Sequence, residues 1–310
     1  MKAVFIEEFG APEVMKYGDW PDPVAGPGEI LVDVHAASVN PADAKVRSAT
    51  GNYDPKDLQL PMILGRDFSG TVRALGDGVT DFQVGDAVFA VLDRGVEAAY
   101  AEQVVIPAKL AAKKPADWSH VEAAALALTG LTALVSIEDT IKLRADEKIL
   151  IQGGAGGVGS FAVQLCHYIG AHVVATASPR NHDYLHDFGA DEIIDYNTVD
   201  FATAVSDCDA VFDTVGYDVQ LRSYEVLKPG GRLAWISPAP KGSTPPRDDV
   251  TVVRPQVARD REHLERVIEL VGLGVIKPPA IETMPLSEVV EAHRKIETGH
   301  VRGKIVLTIR

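Results

Sequence analysis

The sequence predicts an α/β protein in which a doubly wound parallel sheet is joined to a β-rich, barrel-like unit. Three observations carry this. An apolar strand at Ile149-Leu150-Ile151-Gln152 runs directly into a glycine turn that opens a helix. Strands and helices then alternate as far as Ser237. Before Ser119 the chain instead holds short β-branched runs separated by Gly and Pro.

The elements follow in order. Met1–Glu8 reads as a first strand, because it turns acidic after six residues and lacks the apolar core of a secretory leader. Glu29–Val34, Phe68–Val72 and Asp86–Val91 are further strands, divided by turn signals at Gly26-Pro27-Gly28 and Gly76-Asp77-Gly78. His35 reads as a strand residue facing solvent. An Ala- and Leu-rich helix over Val121–Leu128 leads into Leu131–Ile137. Strands are expected at Lys148–Gln152, His172–Ala177, Glu192–Asp195, Ala210–Thr214 and Arg232–Ser237, with helices between them such as Phe161–Ile169 and Asn181–Phe188. Such alternation requires parallel strands with crossover helices. Pro238–Asp249 is polar and proline-bearing, an exposed loop. Leu264, Val267, Ile268 and Val271 lie at helical spacing within Asp260–Gly272, a second helix covers Leu286–Glu297, and Lys304–Ile309 closes the chain as a strand.

Gly154-x-Gly156-x-x-Gly159 sits between that strand and that helix. Three glycines suit three jobs: a tight turn, close approach of backbone to a pyrophosphate, and close helix–strand packing. Phosphates would rest on the unpaired N–H groups at the helix start. Gly154, Ala155, Gly156, Gly157 and Val158 are therefore the candidate dinucleotide contacts. An acid about 20 residues further on would read the ribose 2′-OH of NAD. The chain has Thr176-Ala177-Ser178-Pro179-Arg180 there, with no acid. A Ser178 hydroxyl and an Arg180 guanidinium suit a 2′-phosphate, which points to NADP(H); the plainer alternative is an ordinary turn followed by a solvated arginine. Tyr196 lies just past the third strand, as a further phosphate contact or as packing. Val215, Gly216 and Ser237 end the fourth and fifth strands and offer backbone groups to a nicotinamide amide, while Asp213 reads as a residue that holds loops together.

These features, with Gly76-x-Gly78-Val79-x-x-Phe82-x-x-Gly85-Asp86-x-Val88 and the ending Gly303-Lys304-Ile305-Val306-Leu307, resemble the medium-chain dehydrogenase/reductase superfamily over essentially the whole chain. The resemblance implies a GroES-like catalytic barrel, formed by 1–121 with 259–310, and a Rossmann nucleotide-binding domain at 122–258. Zinc-dependent members carry a Cys motif and a Gly-His-Glu where this chain reads Val39-Asn40-Pro41-Ala42-Asp43 and Gly65-Arg66-Asp67. A guanidinium has no lone pair to give a metal, so the expectation is a zinc-free chain. Ser38-Val39-Asn40-Pro41-Ala42-Asp43-Ala44-Lys45 is similar to the zinc-free quinone oxidoreductases and enone reductases. That likeness implies active-site roles for Asn40 and for a loop tyrosine that maps to Tyr53, and a cofactor contact for Thr129. Read from residue type alone, the alternatives are that Asn40-Pro41 is a turn starter, Tyr53 an exposed loop residue, and Thr129 a helix cap. Arg66 and Asp67 read as structural ion-pairing residues, and Lys304 as a strand residue.

Composition narrows the function classes. A net charge of −14 disfavours nucleic acid and anionic membrane surfaces, and there is no run of eighteen apolar residues. Two cysteines, Cys166 and Cys208, match neither a disulfide framework nor a zinc motif, so a cytoplasmic setting is the default. The leading expectation is an NADPH-dependent reductase of quinones or of the C=C bond of enones and enals, acting as a homodimer through edge strands near Val250–Val253. The alternatives are a 2-enoyl thioester reductase, for which the acidic chain shows no basic carrier-binding surface, and an NADPH-binding sensor without turnover.

Overall fold

The computed structural model describes residues 1–51, 53–93 and 95–310. Along the chain come β1 (Lys2–Ile6), β2 (Lys16–Asp19), β3 (Glu29–Val39), α1 (Pro41–Arg47), β4 (Met62–Ile63), β5 (Asp67–Leu75), β6 (Ala87–Val91), β7 (Gln103–Pro107) and β8 (Ala111–Lys113). Next are α2 (His120–Leu134), β9 (Lys148–Gln152), α3 (Gly157–Ile169), β10 (His172–Thr176), α4 (His182–His186), β11 (Glu192–Ile194) and α5 (Phe201–Ala204). Then follow β12 (Cys208–Asp213), α6 (Tyr217–Arg222), β13 (Leu227–Trp235) and β14 (Thr251–Val253). The chain ends with α7 (Arg261–Gly272), β15 (Ile281–Pro285), α8 (Val289–Glu297) and β16 (Lys304–Thr308).

Two compact units emerge. One comprises 1–128, 259–268 and 280–310; the other comprises 129–258 and 269–279. The division falls inside α2, and 269–279 goes with the second unit.

The second unit is built on a six-stranded sheet in the order β11-β10-β9-β12-β13-β14, every neighbouring pair parallel. In sequence order this is 3-2-1-4-5-6, so the chain reverses direction across the sheet between β9 and β12. In open parallel sheets that switch point, at the carboxyl ends of the strands, is where ligands bind. Leu150, Val174, Val211 and Leu233 are buried at the centre of this sheet. Their strands are apolar on both faces because helices cover both. Burial of each such side chain contributes about 1.5–3 kcal/mol.

In the first unit, β3 is the long organising strand: it pairs antiparallel with β5, β7 and β16, and β6 and β8 extend the sheet. Ile30, Val32, Phe68, Val88, Ile106 and Ile305 fill its core. His35 does not face open solvent. Its ring stacks on His120 at 4.3 Å between centroids and 7° between planes, and its Nε2 lies 3.1 Å from Thr71 Oγ1. The alternation that predicted an outward residue could not register a partner brought in by α2 from 85 positions away.

The two expected helical runs at Val121–Leu128 and Leu131–Ile137 form one continuous element, α2 followed by a π-helical stretch at Val135–Ile141. Thr129 is therefore an interior helix residue, 1% exposed, and caps nothing. His120–Ile141 has the length and apolarity to cross a bilayer, yet 78% of its apolar window is buried inside the protein, as in a core helix.

Candidate functional site

The glycine turn divides its labour differently from the expected order. Gly153, not Gly154, takes the left-handed backbone, at φ +74°, and so makes the tight turn. Gly154 instead lets the strand end pack: a Cβ there would lie 2.9 Å from Ala175 Cβ and 3.2 Å from Leu185 Cδ1. Gly159 presses the helix onto the loop, with 2.3 Å from a virtual Cβ to Gly153 O. Gly156 is the open one, since only Gly153 O, at 3.6 Å, comes within 4 Å of a Cβ there. It is also the N-cap of α3, and no side chain caps that helix. Its first N–H groups and the open space beside Gly156 fit a diphosphate, which supplies the acceptors an uncapped helix start lacks. Thr176 braces the turn from the next strand: its Oγ1 accepts from Gly153 N (3.0 Å) and donates to Gln152 Oε1 (2.9 Å), and its carbonyl accepts from Gly154 N (3.0 Å). This brace was not anticipated.

The other strand ends share the same edge because the sheet is wholly parallel. Ser178 follows β10 and its Oγ accepts from Asn181 Nδ2 at 3.2 Å; Arg180 is exposed two residues on. Tyr196 follows β11 and is 44% exposed. Asp195, at the end of the adjacent strand β11, is turned onto its own loop, where it accepts from Asn197 and Thr198. Val215, Gly216 and Ser237 are brought together: a Cβ on Gly216 would lie 2.6 Å from Ser237 Oγ, and Tyr217 N donates to Pro238 O. Buried Asp213 accepts from Val215 N (2.8 Å) and Gly216 N (2.9 Å), and burial raises its carboxyl to about 6. The turn thus offers a ligand its carbonyl groups, its two amides being spent.

In the barrel unit, Asn40 ends β3 and Pro41 opens α1 at its first position, where a missing N–H costs nothing. Asn40 is 7% exposed and its amide is committed on both sides. Nδ2 donates to Asp67 Oδ1 at 2.7 Å, and Oδ1 accepts from Lys304 Nζ at 2.7 Å. The Asn40 amide is thus a tie between a buried ammonium and a buried carboxylate. Lys304 also donates to Val39 O (2.9 Å), and Ser38 Oγ donates to Asp67 Oδ2 (2.6 Å).

Arg66, 4% exposed, donates from Nε to Asp43 Oδ1 (2.8 Å), pairs through Nη2 with Glu97 Oε1 (2.6 Å), and donates from Nη1 to the hydroxyl of half-buried Tyr53 (3.2 Å). Asp43 accepts in turn from Tyr100 Oη (2.9 Å) and from Asn40 N (2.8 Å). Asp43, Glu97, Tyr100 and Lys304 were not among the expected site residues. A buried lysine in a strand and an acid in an alanine-rich helix carry no local sign of their partners.

The cluster holds three carboxyl groups, Asp43, Asp67 and Glu97, beside the cations Arg66 and Lys304, and Arg259 adds a further positive charge near Glu97. Burial raises Asp67 against the opposing pull of Lys304, and lowers Lys304 against that of Asp67. Burial likewise pushes Glu97 up to about 8, although Arg66 favours its charged form. Among the described residues its buried Oε2 has no hydrogen-bond partner, while Oε1 faces Arg66. With its carboxyl raised to about 8 in the folded state and near 4.5 in the unfolded chain, Glu97 binds more protons in the native state between those values. Stability from this group is complete below 4.5 and is lost as pH rises through about 8. Glu97→Gln is expected to flatten the fall in stability across that window, read by urea unfolding at several pH values; an unchanged slope would refute a protonated Glu97.

Among the described residues, no group of three or more His, Cys, Asp or Glu side chains is placed to hold a metal ion. Both cysteines are buried, and burial raises both thiols.

Comparison with known proteins agrees with this geometry. Residues 26–116 match the alcohol dehydrogenase GroES-like domain, and 188–307 match the family model described as zinc-binding dehydrogenase. The chloroplast envelope quinone oxidoreductase homolog of Arabidopsis thaliana is 33% identical over 93% of this chain and 92% of its own length. The chain belongs to the zinc-independent medium-chain dehydrogenases/reductases, in the quinone oxidoreductase branch. Solved structures of the family superpose end to end. The quinone oxidoreductase from Coxiella burnetii has a TM-score of 0.92 at 36% identity, covering 100% of this chain and 99% of that one. The Escherichia coli quinone oxidoreductase complexed with NADPH has 0.90 at 27% identity, with both chains covered completely. Asn40 and Arg66 are the two centres of the buried cluster.

Proposed function

We propose that this protein is an NADPH-dependent reductase that delivers hydride to a quinone, or to the β-carbon of an α,β-unsaturated ketone or aldehyde. The observation that carries the cofactor choice is the end of β10, where Ser178 and Arg180 stand in place of a carboxylate and the nearby Asp195 is engaged by its own loop. A 2′-hydroxyl calls for an acid there, whereas a 2′-phosphate calls for hydroxyl and cationic donors. Relatives named as quinone oxidoreductases, and the E. coli structure that contains NADPH, support the reading.

NADPH, when bound, supplies the hydride. The α3 start, with Gly154, Ala155, Gly156, Gly157 and Val158, would hold the diphosphate; Ser178, Arg180 and Tyr196 would hold the 2′-phosphate. Carbonyl groups around Val215, Gly216 and Ser237 would accept from the carboxamide, and Thr129 is proposed as a further contact. The barrel unit's part is to meet negative charge gathering on the acceptor's carbonyl oxygen, which needs a fixed donor. Tyr53 is assigned that role, and Asn40 the role of fixing the strand end through Lys304 and Asp67. The exposed edge strand β14, with Val253 at 40% exposure, is proposed as the homodimer contact. Light scattering of the protein in solution checks this, and a monomer at micromolar concentration would reject it.

The test is a steady-state panel of quinones, enones and enals with NADPH and NADH. Arg180→Ala should raise KM for NADPH about tenfold, the loss of one charge-assisted contact, while leaving KM for NADH unchanged. An equal effect on both cofactors would remove Arg180 from the phosphate site, and no turnover of any acceptor despite tight NADPH binding would favour a sensor.

A further inference from the structure

We propose that Arg66 is a positioning residue that aims the hydroxyl of Tyr53, so that a buried cation acts on the acceptor's carbonyl oxygen through the phenol. This rests on the reading that Tyr53 meets that oxygen. An arginine present only to pair with buried acids is complete with its two acidic neighbours, and Arg66 has them in Asp43 and Glu97. Its third direction goes to a neutral phenol, at 3.2 Å from Nη1, with the guanidinium carbon 5.9 Å from the ring centroid. That contact adds nothing to charge balance; its effect is on the phenol.

The phenol oxygen accepts from Arg66, and no acceptor among the described residues takes the Tyr53 O–H. Its hydrogen is left for a ligand, and a bond accepted from a cation polarises that O–H toward donation. The support behind Arg66 is rigid. Asp43 is held by Tyr100 Oη and by Asn40 N. Tyr100 packs against Gly65 so closely that a Cβ there would lie 2.2 Å from the ring, and Gly65 itself is at φ +84°. Tyr53, by contrast, lies outside any helix or strand, its own amide making only a 3.3 Å bond to Thr50 O. The fixed partner therefore orients the irregular one.

The experiment uses full-length protein as wild type, Arg66→Lys, Tyr53→Phe and the double variant. Lysine keeps the charge between Asp43 and Glu97, and so the fold, but a single ammonium cannot serve three directions as a guanidinium does. Turnover is measured with 1,4-benzoquinone and methyl vinyl ketone, and NADPH affinity by nucleotide fluorescence. Tyr53 is followed by 19F NMR after 3-fluorotyrosine labelling, its line identified by its absence in Tyr53→Phe. Loss of the donor should lower kcat about a hundredfold in Tyr53→Phe. Arg66→Lys should lose most of the same factor, the double variant no more, with NADPH affinity unchanged and the Tyr53 line shifted. An unmoved Tyr53 line, or losses that multiply in the double variant, would overturn the proposal. If wild type reduces neither acceptor, the reductase reading fails, while the 19F line still decides whether Arg66 holds Tyr53.

Discussion

Gly156→Val is expected to weaken NADPH binding by about a hundredfold, the equivalent of two charge-assisted hydrogen bonds, with little loss of stability. Gly156 has φ −74° and ψ 171°, extended backbone that a β-branched residue adopts without strain, and only one atom approaches its virtual Cβ. The added side chain would occupy the open space at the uncapped start of α3, and little else. Gly159→Ala should do the reverse. Its Cβ would lie 2.3 Å from Gly153 O and 2.9 Å from Gly154 Cα, both backbone atoms, so strand end and helix must separate at a cost of about 2–3 kcal/mol. Thermal unfolding and nucleotide titration of the two variants side by side check this. Equal effects of both substitutions on stability would mean that the open face of Gly156 is not a ligand surface.

Lys304→Met carries the largest expected loss of stability. It leaves Asp67 buried without its cation and Asn40 Oδ1 without its donor, a defect of about 3–5 kcal/mol. Asp67→Asn in the same chain should recover much of the loss, because an amide in that place needs no counter-charge. Urea unfolding of the single and double variants measures both quantities. A double variant no more stable than Lys304→Met would show that the lysine acts through packing of its stem and not through Asp67.

Much of the sheet unit was legible in the sequence because its signals are local. The Ile149-Leu150-Ile151 run, the glycines after it, and the repeated strand–helix alternation each follow from contacts within a few residues or from the parallel crossover rule. The strand-end positions were legible for the same reason: once the order 3-2-1-4-5-6 is granted, Ser178, Tyr196, Gly216 and Ser237 must fall on one edge. Local reading reached its limit where a residue's role is set by something distant. Which glycine takes φ > 0 depends on Thr176 bracing the turn from the next strand. His35 was assigned to solvent because its stacking partner arrives from another element. Lys304 looked like an ordinary strand residue, since a period-two pattern records which side a residue faces and not what waits there.

The barrel cluster was half legible. Gly65-Arg66-Asp67 could be read as unable to ligate a metal, and as ion-pairing, from side-chain chemistry alone. Its partners could not, because they come from a helix start, a loop at Glu97 and a strand near the chain's end.

That last contact has a consequence for how the polypeptide is assembled. Asn40 and Lys304 are 264 positions apart, and the whole parallel-sheet unit is threaded between them. Residues 1–128 bring Arg66 to Asp43 and Glu97 but do not contain Lys304, the cation that favours the charged form of Asp67. The parallel-sheet unit is thus an insertion within a fold whose two ends complete one another's charge.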